Sequence, residues 1–214
     1  MADIKTIGIL GAGRIGTAIA RRAIAAGYGV RVATAKPASE LELMLGFVAP
    51  GAKAGDAADV IAASDIVILA LPLSKYRSLK PELLAGKIVI DAMNYWSQTE
   101  GTLPEFERGQ SSAEIVAHYL DGARLVRSFN HMGYHEIDEE ARPQGDPNRR
   151  ALAVAGDDPL ARRIVANLID RIGFDAVDAG TLATARSFDI GTPVFGAPLD
   201  SNAMREALAL PLAA

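Results

Sequence analysis

The chain has no cysteine. Disulfides, thiolate catalysis, iron–sulfur clusters and zinc ribbons are therefore excluded. It also lacks any run approaching the ~20 consecutive apolar residues of a transmembrane helix. Positive charge is not in excess. Lys and Arg number 22 against 26 Asp and Glu, for a net charge of −4. That balance argues against nucleic acid or an anionic membrane as the main partner. A strand-like run at 4–10 begins almost at once and leaves no room for a targeting segment, so a soluble cytoplasmic protein is expected. What is present is ordinary for a globule. Half of the 214 residues are apolar and 22% are charged, enough for one large domain with a sizeable core.

Short β-branched runs alternate with helical patterns, which predicts a doubly wound, mostly parallel α/β sheet of the Rossmann kind. Strands are expected at 4–10, 28–33, 52–54, 65–71, 87–92, 124–129, 151–155 and 174–178. Helices are expected at 14–26, 39–47, 56–63, 111–120, 159–172 and 201–210. The run at 66–71 is apolar throughout, as for a central strand covered on both faces, and Pro72 stops it. Ser111 and Glu114 stand at capping-box spacing, and Asp157-Asp158-Pro159 reads as a helix N-cap. The stretches 94–109 and 133–150 are expected to be irregular.

Directly after the first strand and directly before the first helix stands Gly11-Ala12-Gly13-Arg14-Ile15-Gly16, a G-x-G-x-x-G. In that context each glycine has a task. Gly11 permits the tight turn, Gly13 lets the backbone approach a pyrophosphate, and Gly16 lets the helix pack closely on the strand. The helix N-terminus then offers free N–H groups and a positive dipole end to the anion. A dinucleotide cradle is expected, in a domain spanning 1–180.

The end of the second strand selects the dinucleotide. NAD binders usually place an acid there to accept from the ribose hydroxyls. This chain reads Thr34-Ala35-Lys36-Pro37, with no acid before Glu40. A hydroxyl and an ammonium suit a 2′-phosphate, so NADP is expected. Arg14 is a second cation for the phosphates. Ala70, Leu71 and Pro72 should line the ribose–nicotinamide side of the crevice, at the carboxyl end of the fourth strand.

Taken together, these segments resemble the NADP-dependent coenzyme F-420 (deazaflavin) reductase family. The resemblance rests on GAGRIG, the run DIVILALP, residues 87–94, VAGDD at 154–158 and DAG at 178–180. It implies a single Rossmann domain moving hydride between NADP and a deazaflavin. Ser128-Phe129-Asn130-His131-Met132 looks like the family segment beside the nicotinamide. By that match Asn130 and His131 would face the hydride-transfer zone, and Met132 and Asn94 would touch the cofactor. The loop 94–109, Gly133-Tyr134-His135-Glu136 and the tail after Asp189 depart from the family pattern, which leaves the acceptor open.

Related Rossmann reductases carry a large helical domain that closes over a small substrate. Here about 34 residues follow the last expected strand, so no separate substrate domain is expected. The extension 181–214 is read as a dimerisation element or acceptor site. Pro193, Phe195, Pro198 and Leu199 lie close together in it, and a homodimer is expected. His131 or Tyr134 is a candidate proton donor. Tyr95 and Trp96 are candidates for a stacking wall or for loop anchors. His131 and His135 lack a third ligand, so no metal site is expected. Three functions stay open: a reductase of a planar acceptor (deazaflavin coenzyme F-420 or flavin-like), a reductase of a small carbonyl or imine, and a non-catalytic NADP-binding redox sensor.

Overall fold

The computed structural model describes residues 4–107 and 110–210. From the N-terminus, β1 (Thr6–Leu10), α1 (Arg14–Ala25), β2 (Gly29–Ala33), α2 (Ala38–Val48) and β3 (Lys53–Ala54) wind in one direction. The chain then returns through α3 (Ala57–Ala62) to β4 (Ile66–Leu69), α4 (Pro81–Leu84) and β5 (Ile88–Asp91). Next come α5 (Ser97–Glu100), α6 (Ser112–Tyr119), β6 (Arg124–Arg127) and α7 (Tyr134–Glu139). β7 (Ala151–Ala155), α8 (Pro159–Ile172), β8 (Asp175–Gly180) and α9 (Ser201–Ala207) complete it. The sheet order is β3-β2-β1-β4-β5-β6-β7-β8. All neighbours are parallel except β6 and β7, which run antiparallel.

Strand periodicity builds two cores. Ile7, Ile9, Ile66, Ile68, Ile88 and Ile90 point to one face, under α1 and α8. Val67, Leu69 and Val89 point to the other, under α3, α6 and the tail. Successive side chains of a strand alternate sides, so strands buried on both faces carry unbroken apolar runs. The predicted caps form. Ser111 and Glu114 close a capping box on α6, and the Asp158 carboxylate accepts from the N–H groups of Leu160 and Ala161.

Boundaries shift where a turn cuts a strand short or a strand runs on. The fourth strand ends at Leu69, not 71, freeing Ala70, Leu71 and Pro72 to line the crevice; the eighth continues to Gly180. The stretch 133–150 is not wholly irregular. It contains α7, whose one fully buried residue, Ile137, is too little to read as a periodic pattern. The extension 181–210 is part of the same core, since Leu182, Ala185, Phe188, Val194 and Met204 are all buried. Phe195 packs edge-on against Trp96 and Leu199 packs on the second core, while Pro193 and Pro198 are exposed. The tail's larger apolar groups are thus used within the chain. Among the described residues the most exposed large apolar side chains are Leu43 and Phe47 on α2. Among the described residues no helix is long and apolar enough to cross a membrane.

Candidate dinucleotide site and the adjoining cavity

β1 and β4 are neighbours, but their crossovers leave in opposite directions, so a crevice opens past their carboxyl ends. Gly11-Ala12-Gly13-Arg14-Ile15-Gly16 occupies its mouth. Gly11 sits at φ 116°, and a Cβ there would stand 2.2 Å from the Ala70 carbonyl oxygen. A Cβ on Gly16 would stand 2.2 Å from the Gly11 carbonyl. These two glycines lock β1, α1 and the end of β4 together. Gly13 differs: a Cβ on it would meet nothing within 4 Å. It is exposed, with extended backbone, and it is the N-cap of α1 with no side-chain cap. The free N–H groups of α1 therefore open onto bare space beside Gly13, a shape and polarity that fit a pyrophosphate.

At the end of β2, the Thr34 hydroxyl accepts from the Lys36 N–H at 3.1 Å. Ala35 and Lys36 are exposed. The Lys36 ammonium lies 4.0 Å from Glu40, with both side chains more than half exposed. Such a pair is weak, and no carboxylate caps the strand itself. Arg14 donates to the Tyr134 hydroxyl at 3.1 Å, with its guanidinium 5.1 Å from that ring's centroid. Tyr134 thereby belongs to the phosphate end of the crevice.

The other end holds a buried polar network that sequence reading missed. Arg127, 1% exposed, donates to Asp91 at 2.8 Å and to Asp189 at 2.7 Å. It also reaches the Asn94 amide oxygen at 3.4 Å. Asn94 in turn donates to the Asn130 carbonyl at 2.6 Å. Asn130 is buried, its amide nitrogen donating to the Phe188 carbonyl at 3.0 Å. Burial pushes the Asp91 carboxyl up, against the opposing pull of Arg127. One signal was available: Asp91 closes an otherwise apolar strand, and a charge in such a run demands a partner.

His131 is also placed differently from its expected role as a donor in the crevice. Its Nε2 accepts from the Ala153 N–H at 3.0 Å, which assigns the proton to Nδ1, 3.2 Å from the Asn130 amide oxygen. The ring is buried, packed edge-on against Phe188, and burial holds its pKa down to about 3. Neither nitrogen is free to serve a ligand. The neutral ring ties segment 128–132 to β7. That segment turns at Phe129, which is fully buried at φ 65°, a left-handed conformation unusual for an aromatic residue. Met132, expected to touch the cofactor, is 3% exposed and belongs to the core beneath α8. His118 is exposed.

A pH dependence of stability follows. His131 is neutral in the folded chain down to about pH 3, whereas an unfolded histidine protonates near 6.5. The unfolded state then binds the extra proton, so stability is full above pH 6.5 and is lost as pH falls toward 3. The slope is ~1.4 kcal/mol per pH unit, or about 2 kcal/mol between pH 6.5 and 5. Urea melts at these pH values should show that loss in the wild-type chain and a flatter profile in His131→Leu. An unchanged slope in the variant would contradict the assignment.

Beside this network a cavity of about 270 Å³ is lined by Asn94, Tyr95, Phe106, Gln110, Ser112, Arg127, Asp189 and Ile190. Tyr95 is a loop anchor as well as a wall. Its hydroxyl accepts from the Leu103 N–H at 2.8 Å and donates toward the Gly101 carbonyl at 3.0 Å. Its ring lies 5.3 Å from that of Phe106, tilted by 37°. Arg108 and Gly109, at the end of that loop, lie outside the described residues.

Residues 6–95 match the family described as NADP oxidoreductase coenzyme F420-dependent. A hypothetical protein of Sinorhizobium meliloti is similar in structure, with a TM-score of 0.76 at 29% identity, covering 91% of this chain and 94% of that one. An Arthrobacter protein described as a candidate F420-dependent NADP-reductase gives 0.72 at 26% identity, covering 86% and 88%. The metalloreductase STEAP3 of Rattus norvegicus is 27% identical over 189 residues, which is 87% of this chain and 36% of that protein. The chain thus spans about a third of the length of this curated relative. By the match over residues 6–95, the shared architecture and the glycine cradle, the chain is similar to the NADP oxidoreductase, coenzyme F420-dependent, family.

Proposed function

We propose that this protein transfers hydride between NADPH and a planar acceptor, a deazaflavin such as coenzyme F420 or a flavin-like ring. One observation carries the choice of acceptor. Of the two candidate proton donors, His131 has both ring nitrogens engaged, by Ala153 and Asn130, and Tyr134 is held by Arg14 at the start of α1, toward the phosphate end of the crevice. Reduction of a carbonyl or imine needs a proton delivered beside the nicotinamide, whereas a ring acceptor delocalises the charge it receives.

Bound NADPH supplies the hydride from its nicotinamide C4. The chain's own part is to bind and align. The N–H groups at the start of α1 hold the pyrophosphate, with Arg14 held beside them by Tyr134. Thr34 and Lys36 receive the 2′-phosphate, and Ala70, Leu71, Pro72 and Asn94 border the path toward the nicotinamide. Holding two reactants in register is worth ~7–11 kcal/mol of barrier in well-oriented systems.

Mixing the protein with NADPH and coenzyme F420, FMN, or a panel of small carbonyls and imines tests this, following loss of NADPH absorbance. Turnover is expected with a ring acceptor. Turnover confined to carbonyls or imines would overturn the reading, and tight NADPH binding without any turnover would indicate a sensor. NADPH should bind at least ~10-fold more tightly than NADH, about 1.4 kcal/mol, with most of that difference lost in Lys36→Ala. Equal affinities in the wild-type chain would remove the NADP assignment.

A further inference from the structure

Arg14 stands where a helix least favours a cation. It opens α1, whose first turn carries no acid, and a positive charge at that end opposes the helix dipole. The side chain is exposed, and among the described residues no carboxylate pairs with it. Its partner is neutral instead. One guanidinium N–H donates to the Tyr134 hydroxyl at 3.1 Å, and the guanidinium carbon lies 5.1 Å from the centre of the Tyr134 ring. A carboxylate in that place would fix the guanidinium and cancel its charge. A tyrosine fixes it and leaves the charge uncancelled, with the other N–H groups of the fork still to be used.

Tyr134 can do this because α7 is anchored along α1. Tyr134 is half-buried against the first core, and Ile137 is wholly buried in it. The Asp138 carboxylate accepts from the Arg21 Nε at 3.0 Å, about two turns along α1 from Arg14. The two ties seat α7 beside α1 with Tyr134 at the level of Arg14. Topology then decides which phosphate Arg14 meets. Tyr134 follows β6, and the sheet order puts β6 and β2 on opposite sides of β1. Tyr134 therefore draws Arg14 away from the end of β2, where Thr34 and Lys36 stand. Arg14 is left beside Gly13 and the free N–H groups of α1.

We propose that Tyr134 is a positioning residue for the dinucleotide: it holds the Arg14 guanidinium, with its charge uncancelled, for the pyrophosphate. Arg14 then serves the pyrophosphate and Lys36 the 2′-phosphate. The inference rests on the dinucleotide reading above and deepens it. It also gives Tyr134 a task unrelated to proton donation.

Calorimetric titration of the full chain with NADPH, NADH and adenosine 2′-monophosphate separates the two phosphate groups, since the last has a 2′-phosphate and no pyrophosphate. Tyr134→Phe keeps the ring and removes the hydroxyl. It should weaken NADPH and NADH by the same factor, at least ~3-fold, and leave adenosine 2′-monophosphate unchanged. Arg14→Gln should show the same pattern at ~10-fold or more. Lys36→Ala should show the reverse, weakening NADPH and adenosine 2′-monophosphate and sparing NADH. Because Tyr134 acts through Arg14, adding Tyr134→Phe to Arg14→Gln should weaken NADPH no further. A tyrosine that merely supports the fold would weaken all three ligands, and its effect would add to that of Arg14→Gln. Either result, or unchanged NADPH affinity in Tyr134→Phe, would overturn the assignment. A loss confined to NADPH would do so too, by placing Arg14 at the 2′-phosphate. If the wild-type chain binds neither dinucleotide, the dinucleotide reading itself falls. If it binds both and Tyr134→Phe changes neither, only the role of Tyr134 falls.

Discussion

Replacing Gly13 by valine is expected to abolish NADPH binding while leaving the fold intact. The backbone at Gly13 is extended, a conformation any residue adopts, and no atom stands within 4 Å of the added Cβ. Glycine at this N-cap makes no side-chain cap, so its loss should cost no more than about 1 kcal/mol of stability. The valine methyls would instead fill the space through which the pyrophosphate reaches the N–H groups of α1. Gly11→Ala and Gly16→Ala are the contrasting controls. Their Cβ atoms would collide with carbonyl oxygens of Ala70 and Gly11, so they should lower the melting temperature first and affect binding as a consequence. Isothermal titration with NADPH beside thermal unfolding separates the two effects. Near-normal NADPH affinity in Gly13→Val would show that the loop is only a turn.

Arg127→Leu should lose ~3–5 kcal/mol of folding stability, because the change leaves Asp91 buried opposite no charge. Asp189 would suffer less, since it is part exposed and water can replace its partner. A second replacement decides whether the loss is due to the unpaired carboxylate. In Arg127→Leu with Asp91→Leu both charges are gone, and a buried pair exchanged for apolar groups is often close to neutral. Urea unfolding should therefore find the double variant more stable than Arg127→Leu alone. A single variant costing less than ~1 kcal/mol, or a double variant showing the sum of both losses, would contradict this account.

Local signals carried much of the fold. β1, β4 and β5 were legible because burial on both faces leaves an apolar run with no alternation to mistake. α6 and α8 were legible from their caps, which need only residues within one turn. α7 was not, because six residues with one buried side chain make no period. The antiparallel turn into β7 was equally hidden, since pairing direction depends on where the chain returns after 23 residues of loop and short helix.

The candidate dinucleotide cradle was legible in the sequence alone. Gly11 and Gly16 shape it through backbone geometry spanning six residues, and Thr34 to Lys36 follow at the end of the very next strand. The buried network around Arg127 was decided by tertiary structure. Arg127 joins Asp91, 36 positions back, to Asp189, 62 positions ahead. His131 changed from expected donor to buried strut because Ala153 and Asn130 came to occupy its two nitrogens. A histidine or arginine is chemically the same residue on a surface, in a crevice or in a core. Only the distant groups that the fold brings to it decide which protons it can offer.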